Sequence, residues 1–387
     1  MERKNKRYTL LLIMMLCSAM ALSACGSSSS SGAGSSNTSA TTTGGSESGA
    51  QAGGNTATPD ESSIDWAARK KLNAAAGQIT YITGYYYAAS PPDIQVIMAK
   101  ELGYFEEMGL DVHIMPGLDS EGMKFLAAGQ AQIASAGTPS LVIQSVANGA
   151  AIKGVATFAA TGVSALMVMS DSGMKEPKDL VGKTIGYHGA LPANIQAMLK
   201  NSNIDPTSVK GVSVGYDPTV LSSGKVDALT VYKSNEPYMM KKMGLDVSLI
   251  DPGQFGAETS FGVLAVNNAF AEANPTAVED FLRAVSKAHS YAASHIDASL
   301  KVLASLSDSL YDLPTETNRW TVESGLVEQA KLPGHGIAWQ SDEQWTREIE
   351  MLSDAGVIKE KLPVDKVMNN AFINSIYNGE ALIWPER

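Results

Sequence analysis

From about residue 78 the chain alternates short apolar runs with stretches in which apolar residues recur every three or four positions. The strand-like "QITYITGYYY" precedes the helix-like "PDIQVIMAKELGYFEEM", and "DVHIM", a short helix and "IASAG" continue the alternation. Short apolar runs are typical of buried strands, and the wider spacing is typical of helices. Strands that alternate with helices predict parallel sheets in an α/β fold.

The alternation stops near residue 267, and the rest of the chain has only helical patterns. In "NPTAVEDFLRAVSKAHSYAASH", Asn274 and Pro275 suit a helix cap and first turn, and apolar residues from Val278 to Val285 fall at helical spacing. We therefore expect a helical C-terminal part.

Residues 1–24 have the composition of a signal peptide. A basic start, "MERKNKR", precedes the apolar run "YTLLLIMMLCSAMAL", which is short for a membrane span. The segment ends in "LSAC", which resembles a bacterial lipobox, so Cys25 is the expected site of lipidation. Because Cys17 lies in the removed segment, no free thiol would remain for a disulfide, a thiolate metal site or cysteine catalysis.

Residues 25–77 are predicted to be the lipidated cysteine and a flexible linker, since 26–58 are almost wholly Gly, Ser, Thr, Ala and Asn. Loss of residues 1–24, with four basic residues and one acidic residue, lowers the formal net charge from −11 to −14. So acidic a chain is a poor partner for nucleic acid.

Five segments carry a family resemblance: "AKELGYFEEMGLDVHI", "AAGQAQIASAGTPSLV", "IKGVATF", "KDLVGKTIGYHG" and "SSGKVDALTVY". In this order they resemble substrate-binding proteins of bacterial ABC importers, in the branch that binds nitrate, sulfonates, taurine and thiamine precursors. The resemblance implies a periplasmic-binding-protein-like fold with a ligand cleft between two lobes joined by two hinge strands. It places lobe 1 at 78–166 and 262–387 and lobe 2 at 167–261, with crossings near "SALMVMS" and "ETSFGVLAVN".

The resemblance also implies the function: an extracytoplasmic lipoprotein, expected to be a monomer, captures a small solute by hinge closure and delivers it to a permease and its ATPase. "NEPYMM" and "GYDPTVLSSGKVDA" are most similar to members that bind thiamine-type pyrimidines or riboflavin. The alternatives are an anion-binding importer component of the nitrate, sulfonate or taurine type and a pyrimidine-synthase-like enzyme.

Ligands of open α/β sheets bind beyond the carboxyl ends of strands, where helices begin. In "YYYAASPPD" the candidates are Tyr85, Tyr86, Tyr87 and Asp93. Strand alternation would direct Tyr85 and Tyr87 to one face and Tyr86 to the other, and each ring could instead cover the sheet. Asp93 suits a helix cap as well as a ligand contact.

Three further turns supply the other candidates. "SAGTPS" offers small residues and a helix start, and the last two turns would belong to lobe 2. The candidates are Gly137 and Thr138 in the second turn; His188, Ala190, Leu191 and Asn194 in the third; and Tyr232, Asn235 and Glu236 in the fourth. A carboxylate such as Glu236 could accept hydrogen bonds from an aminopyrimidine edge or could stabilise its own helix.

No arginine lies in these four turns, so an anion held by a guanidinium fork is disfavoured. The sequence has no His-Glu-x-x-His motif or phosphate-binding Gly-x-x-x-x-Gly-Lys loop. We therefore expect no catalytic residue, metal or cofactor, and a neutral or weakly cationic planar heterocycle as the ligand.

Overall fold

The computed structural model describes residues 64–307 and 311–385. The predicted signal peptide, the lipidation site Cys25 and most of the predicted linker lie outside these residues. Within them, no helix is both long and apolar enough to cross a membrane.

A first five-stranded sheet is formed by two separate parts of the chain. Its strands are β1 (Gln78–Ile82), β2 (Asp111–Met115), β3 (Ile133–Ala136), β4 (Ile152–Ala159) and β10 (Phe261–Asn267), in the order β2-β1-β3-β10-β4. β1 is parallel to β2 and β3, whereas β10 is antiparallel to β3 and β4. Strands β3, β4 and β10 are buried over most of their length, which explains their nearly continuous apolar sequences.

A second five-stranded sheet is formed by the chain between β4 and β10. Its strands are β5 (Ser164–Met169), β6 (Thr184–Tyr187), β7 (Lys210–Ser213), β8 (Ala228–Tyr232) and β9 (Val247–Ile250), in the order β7-β6-β8-β5-β9. β6 is parallel to β7 and β8, and β5 is antiparallel to β8 and β9. We call the first sheet with its packed helices the first lobe, and the second sheet with its packed helices the second lobe. Because the second sheet is formed by the chain between β4 and β10, the second lobe is an insertion in the first.

The chain passes between the sheets through residues 160–163 and 251–260. Gly162 in the first passage donates its N–H to Glu258 Oε1 in the second, at 3.0 Å. The predicted first crossing, "SALMVMS", is β5, which pairs along its length within the second sheet. The apolar sequence of β5 does not show which of the two sheets the strand joins. The predicted domain limits, residues 166 and 167, fall inside this strand. Which segments move together remains a prediction.

Helices cover the sheets and form most of the C-terminal part. They are α1 (Trp66–Ala75), α2 (Asp93–Glu101), α3 (Tyr104–Glu107), α4 (Asp119–Ala127), α5 (Pro139–Ala147), α6 (Ala193–Asn201), α7 (Thr219–Ser222), α8 (Glu236–Lys242), α9 (Asn268–Ala273), α10 (Pro275–Ser294), α11 (Ile296–Leu306), α12 (Leu313–Gln329), α13 (Asp342–Asp354), α14 (Val364–Val367) and α15 (Ala371–Ser375). A short hairpin, β11 (Tyr377–Asn378) and β12 (Ala381–Leu382), interrupts this helical part. The α/β prediction is confirmed.

Helix α1 corrects the predicted end of the linker at residue 77. Asp65 caps the helix through Ala68 N–H, and Arg69 forms ion pairs with Glu279 (2.6 Å) and Asp280 (3.0 Å) of α10. The sequence prediction extended the polar, low-complexity character of 26–58 too far, because these stabilising partners lie about 210 residues away in the chain.

Candidate functional site

A cavity of about 450 Å³ lies between the two sheets, beyond the carboxyl ends of several of their strands. Its volume is in the range of small-molecule sites, and its position follows the rule for open α/β sheets. The first lobe contributes the turns after β1, β2 and β3, and the second lobe contributes those after β6, β7 and β8. Helix α12 completes the wall.

Seven of the residues predicted from the sequence line this cavity: Tyr85, Asp93, Gly137, His188, Tyr232, Asn235 and Glu236. Six do not line it: Tyr86, Tyr87, Thr138, Ala190, Leu191 and Asn194. Leu191 packs against the core of the second lobe, and Asn194 is buried, with its side chain accepting from Ile195 N–H at 3.0 Å. Whether the seven bind a ligand remains a prediction.

The predicted alternation of the three tyrosines is wrong, because β1 ends at Ile82 and the tyrosines lie in a turn. Tyr86 has a φ of 48°, a left-handed conformation that no strand residue adopts. The Tyr85 ring lines the cavity. The Tyr86 ring packs edge-on against the Tyr85 ring, with ring centres 5.7 Å apart. Tyr87 instead packs against the core of the first lobe.

Asp93 determines the shape of this turn. Its carboxyl accepts from the Tyr81 hydroxyl (2.6 Å), Gly84 N–H (2.9 Å) and Tyr85 N–H (3.4 Å). With its oxygens already engaged, Asp93 positions Tyr85 rather than offering a free acceptor to the cavity.

Alanine substitution should separate the three tyrosines. Tyr87→Ala is expected to lower stability by about 2–3 kcal/mol, because it leaves a cavity beside the core. Tyr85→Ala should weaken ligand binding with little loss of stability, and Tyr86→Ala should change either quantity least. Thermal unfolding and calorimetric binding measure the two effects, and a stability loss confined to Tyr85→Ala would contradict this assignment.

The wall is predominantly acidic. It contains Asp93, Asp119, Glu236 and Glu323 against a single arginine, Arg319. Three of these residues, Asp119, Arg319 and Glu323, are absent from the residues predicted from the sequence. Asp119 could have been predicted from the sequence, because it begins the helix that follows the strand "DVHIM". That strand-to-helix turn is of the same kind as the four turns considered above. The two α12 residues have no comparable signal.

Arg319 brings a guanidinium group to the cavity wall from α12, outside the four turns in which the sequence has no arginine. Its Nε donates to Glu316 Oε2 at 3.0 Å, and a terminal nitrogen donates to Asn235 Oδ1 at 3.1 Å. Burial opposes the charged form, but the carboxylates of Glu316 and Glu323 outweigh it and raise the Arg319 pKa. The cation is therefore already paired with carboxylates of its own helix.

Asp119 and Tyr232 approach one another across the cleft. A Cβ placed on Gly137 would lie 3.0 Å from Asp119 Oδ2 and 4.0 Å from the Tyr232 hydroxyl. Burial raises the pKa of Asp119. Tyr232 is 47% exposed, and its phenol is neutral at pH 7 with its ordinary pKa. Desolvation of the hydroxyl in the cleft, followed by the charge of Asp119, raises the Tyr232 pKa further. A small ligand in this gap would contact both lobes.

His188 lines the cavity, and one of its ring nitrogens has no partner among the described residues. The imidazole stacks on Tyr216 with ring centres 4.7 Å apart, and its Nδ1 lies 3.4 Å from the Val214 carbonyl oxygen. Since a carbonyl only accepts, Nδ1 carries the hydrogen and the Nε2 of a neutral ring is an acceptor. This Nε2 is buried without a partner in the described parts of the chain.

Three buried carboxyl groups predict how stability depends on pH. Burial raises the pKa of Asp93, Glu323 and Glu348 to about 7. Because their folded-state pKa values exceed the ordinary ones, their contribution is complete below about pH 4 and is lost as pH rises through 7. We expect a melting temperature several degrees higher at pH 5 than at pH 8, and a smaller difference in Glu348→Gln. Equal melting temperatures at both pH values would contradict the prediction.

Two lobes around a cleft, with the second inserted in the first, define the periplasmic-binding-protein fold. The periplasmic aliphatic sulphonate-binding protein from Escherichia coli has this fold: it superposes with a TM-score of 0.59 at 15% identity, over 75% of this chain and 91% of that chain. The fold predicted from the sequence is therefore confirmed.

The NMT1/THI5-like family model matches residues 91–299, more than half of the sequence. The chain belongs to the NMT1/THI5-like family. It is 28% identical over 263 residues to the formylaminopyrimidine-binding protein of Halalkalibacterium halodurans, which covers 66% of this chain and 79% of that protein. It is 24% identical over 236 residues to a 4-amino-5-hydroxymethyl-2-methylpyrimidine phosphate synthase of Saccharomyces cerevisiae. This match covers 55% of this chain and 66% of that protein. Binding proteins and enzymes thus both occur among its relatives.

Proposed function

We propose that this protein is the solute-binding component of an ABC importer and that its ligand is a small planar heterocycle with an amino group. The observation that carries the proposal is the cavity between the lobes, whose wall has four carboxyl groups and aromatic rings. The protein would act as a monomer outside the cytoplasm, anchored through a lipid on Cys25, and deliver its ligand to a permease and ATPase.

The ligand class follows from the groups that remain available. Asp119 on the wall and the unpartnered Nε2 of His188 beside it are acceptors, so they complement a ligand edge rich in N–H donors. Glu236 is engaged within its own turn, because its oxygens already accept from Tyr232 N–H at 2.9 Å and Asn235 Nδ2 at 3.2 Å. Tyr85 and the stacked pair of His188 and Tyr216 offer flat faces for a planar ring. An aminopyrimidine has both features, in agreement with the ligand for which the Halalkalibacterium relative is named.

Capture would occur by closure of the lobes on the ligand. A molecule between Asp119 of the first lobe and Tyr232 of the second stabilises the closed form, because only that form offers both contacts. The closed form would then dock on the permease.

An anionic ligand is the second candidate, and Arg319 is the observation that favours it. Glu316 and Asn235 already accept from this guanidinium, however, and Glu323 and Glu236 raise its pKa further by their charge. A sulfonate would have to displace these partners and enter an acidic wall, which costs desolvation and repulsion. We therefore favour the heterocycle.

A synthase activity is the third candidate, raised by the yeast relative. Among the described residues, no group of three or more His, Cys, Asp or Glu side chains could hold a metal ion. We propose binding without turnover, so a bound ligand should be recovered unchanged. A product in the mass spectrum after incubation would contradict this.

A panel of ligands tests the proposal by thermal shift and calorimetry. It contains formylaminopyrimidine, 4-amino-5-hydroxymethyl-2-methylpyrimidine, riboflavin, an alkanesulfonate and nitrate. A ligand that binds only the folded protein raises its melting temperature by mass action, and we expect the largest rise with an aminopyrimidine. The largest rise with nitrate or the sulfonate would overturn the proposed ligand class.

Cys25→Ala tests the proposed anchor. In a bacterial host that processes lipoproteins, the unchanged chain should fractionate with membranes and Cys25→Ala should not, because the acyl chains supply the membrane affinity. Cys17→Ala is the matched control, with no expected change in fractionation. Membrane association of Cys25→Ala equal to that of the unchanged chain would contradict the prediction.

A further inference from the structure

Helix α12 belongs to the first lobe by its apolar face. Trp320 and Val327 are almost completely buried in the core that also contains β1 and α10 residues. The adjacent, polar face of the helix borders the ligand cavity with Arg319 and Glu323, whose side chains are almost completely buried. A single helix thus connects the core of one lobe with the wall of the site.

The polar face of α12 is fastened to the turn that follows β1. Glu323 Oε2 accepts from the Ser90 hydroxyl at 2.5 Å, and Glu316 Oε2 accepts from Ala89 N–H at 2.7 Å. These bonds lie within the first lobe, and they hold α12 beside the turn that carries Tyr85.

The same face is also fastened to the second lobe, at the turn between β8 and α8. Glu323 Oε1 accepts from the Ser234 hydroxyl at 2.6 Å, Asn318 Nδ2 donates to the Ser234 carbonyl at 2.8 Å, and Arg319 donates to Asn235 Oδ1 at 3.1 Å. The Ser234 side chain and the Glu323 side chain are almost completely buried. Buried hydrogen bonds are costly to break, because the group that loses its partner stays removed from water.

We propose that α12 is a noncovalent connection between the lobes, in addition to the two chain passages, and that Glu323 is its main positioning residue. Each oxygen of this carboxyl holds a different lobe, and the turn it holds in the second lobe carries Asn235 and Glu236 on the cavity wall. The connection would therefore set the angle between the lobes and link it to ligand contacts.

α12 lies beyond residues 91–299, the part that the family model matches. The proposal consequently concerns a contribution to the site that the family match does not cover. Its ligand-binding part rests on the proposed function, whereas the contact between lobes does not.

Hydrogen exchange of the ligand-free full-length chain tests the connection directly. In Glu323→Ala and in Ser234→Ala, amides in the second-lobe peptide 231–239 should exchange about five- to tenfold faster, as expected for loss of one buried hydrogen bond. Ser234→Ala leaves the bond to Ser90 intact, so it remains informative if Glu323→Ala folds poorly. Glu328→Gln, on the same helix with a side chain that is 62% exposed, is the control and should change nothing there.

Faster exchange confined to α12 and the turn before α2 would overturn the proposal, because Glu323 would then stabilise only its own lobe. Unchanged exchange at 231–239 in Ser234→Ala would overturn it as well.

A binding measurement tests the link to the ligand. If the unchanged chain binds 4-amino-5-hydroxymethyl-2-methylpyrimidine and its 4-hydroxy analogue, Ser234→Ala should weaken both by the same factor, because it alters closure rather than one contact. A selective loss of one ligand would contradict the coupling. If neither binds, the proposed ligand class fails while the exchange result still decides the connection.

Discussion

Asp119→Asn is expected to weaken binding of 4-amino-5-hydroxymethyl-2-methylpyrimidine by about 10- to 100-fold, with little change in melting temperature. Asp119 is a cavity carboxylate that faces the second lobe through the gap beside Gly137. A hydrogen bond to a charged group contributes about 1.5–3 kcal/mol, and about 1.4 kcal/mol corresponds to a tenfold change in affinity. The amide keeps the shape of the side chain but loses its charge and one acceptor.

Calorimetry on the unchanged chain, Asp119→Asn and Glu121→Gln measures this effect. Glu121 is on the same helix, is exposed and is not part of the wall, so its substitution should leave affinity unchanged. Equal affinity in Asp119→Asn and the unchanged chain would mean that the ligand does not use this carboxylate.

Gly137→Val is expected to reduce the affinity for every ligand of the panel at least about tenfold, because overpacking typically costs 1–3 kcal/mol. Its Cβ would lie 3.0 Å from Asp119 Oδ2, closer than most real Cβ contacts, and the side chain would project toward Tyr232. The valine would thus displace the carboxylate and obstruct approach of the lobes.

The matched control is Gly325→Ala, at a helix position where a Cβ meets no atom within 4 Å. It should leave binding unchanged and slightly raise stability, since alanine favours a helix over glycine by about 1 kcal/mol. Small-angle scattering distinguishes the mechanism: Gly137→Val should not compact on addition of a ligand that compacts the unchanged chain. Normal compaction with reduced affinity would show that only Asp119 was displaced.

The local pattern of residues was sufficient to predict elements whose partners are near in sequence. Asn274 and Pro275 correctly marked the start of α10, and the apolar positions from Val278 to Val285 are buried as predicted. The turn residues at Gly137 and Glu236 were likewise found, because a strand followed by a helix start is a local signal. The sequence did not show which lobe β5 belongs to. An apolar strand is compatible with either sheet, and only the folded structure shows that the partners of β5 are β8 and β9.

The sequence by itself determined the α/β class, the helical C-terminal part, the family resemblance and seven residues of the cavity wall. Only the tertiary structure decided that the tyrosines form a turn held by Asp93, that α1 is a helix docked through Arg69, and that α12 brings Arg319 and Glu323 to the site. The physical reason is the same in each case. Periodicity and turn chemistry act over a few residues, whereas these side chains are placed by hydrogen bonds and ion pairs that form only once the chain has folded.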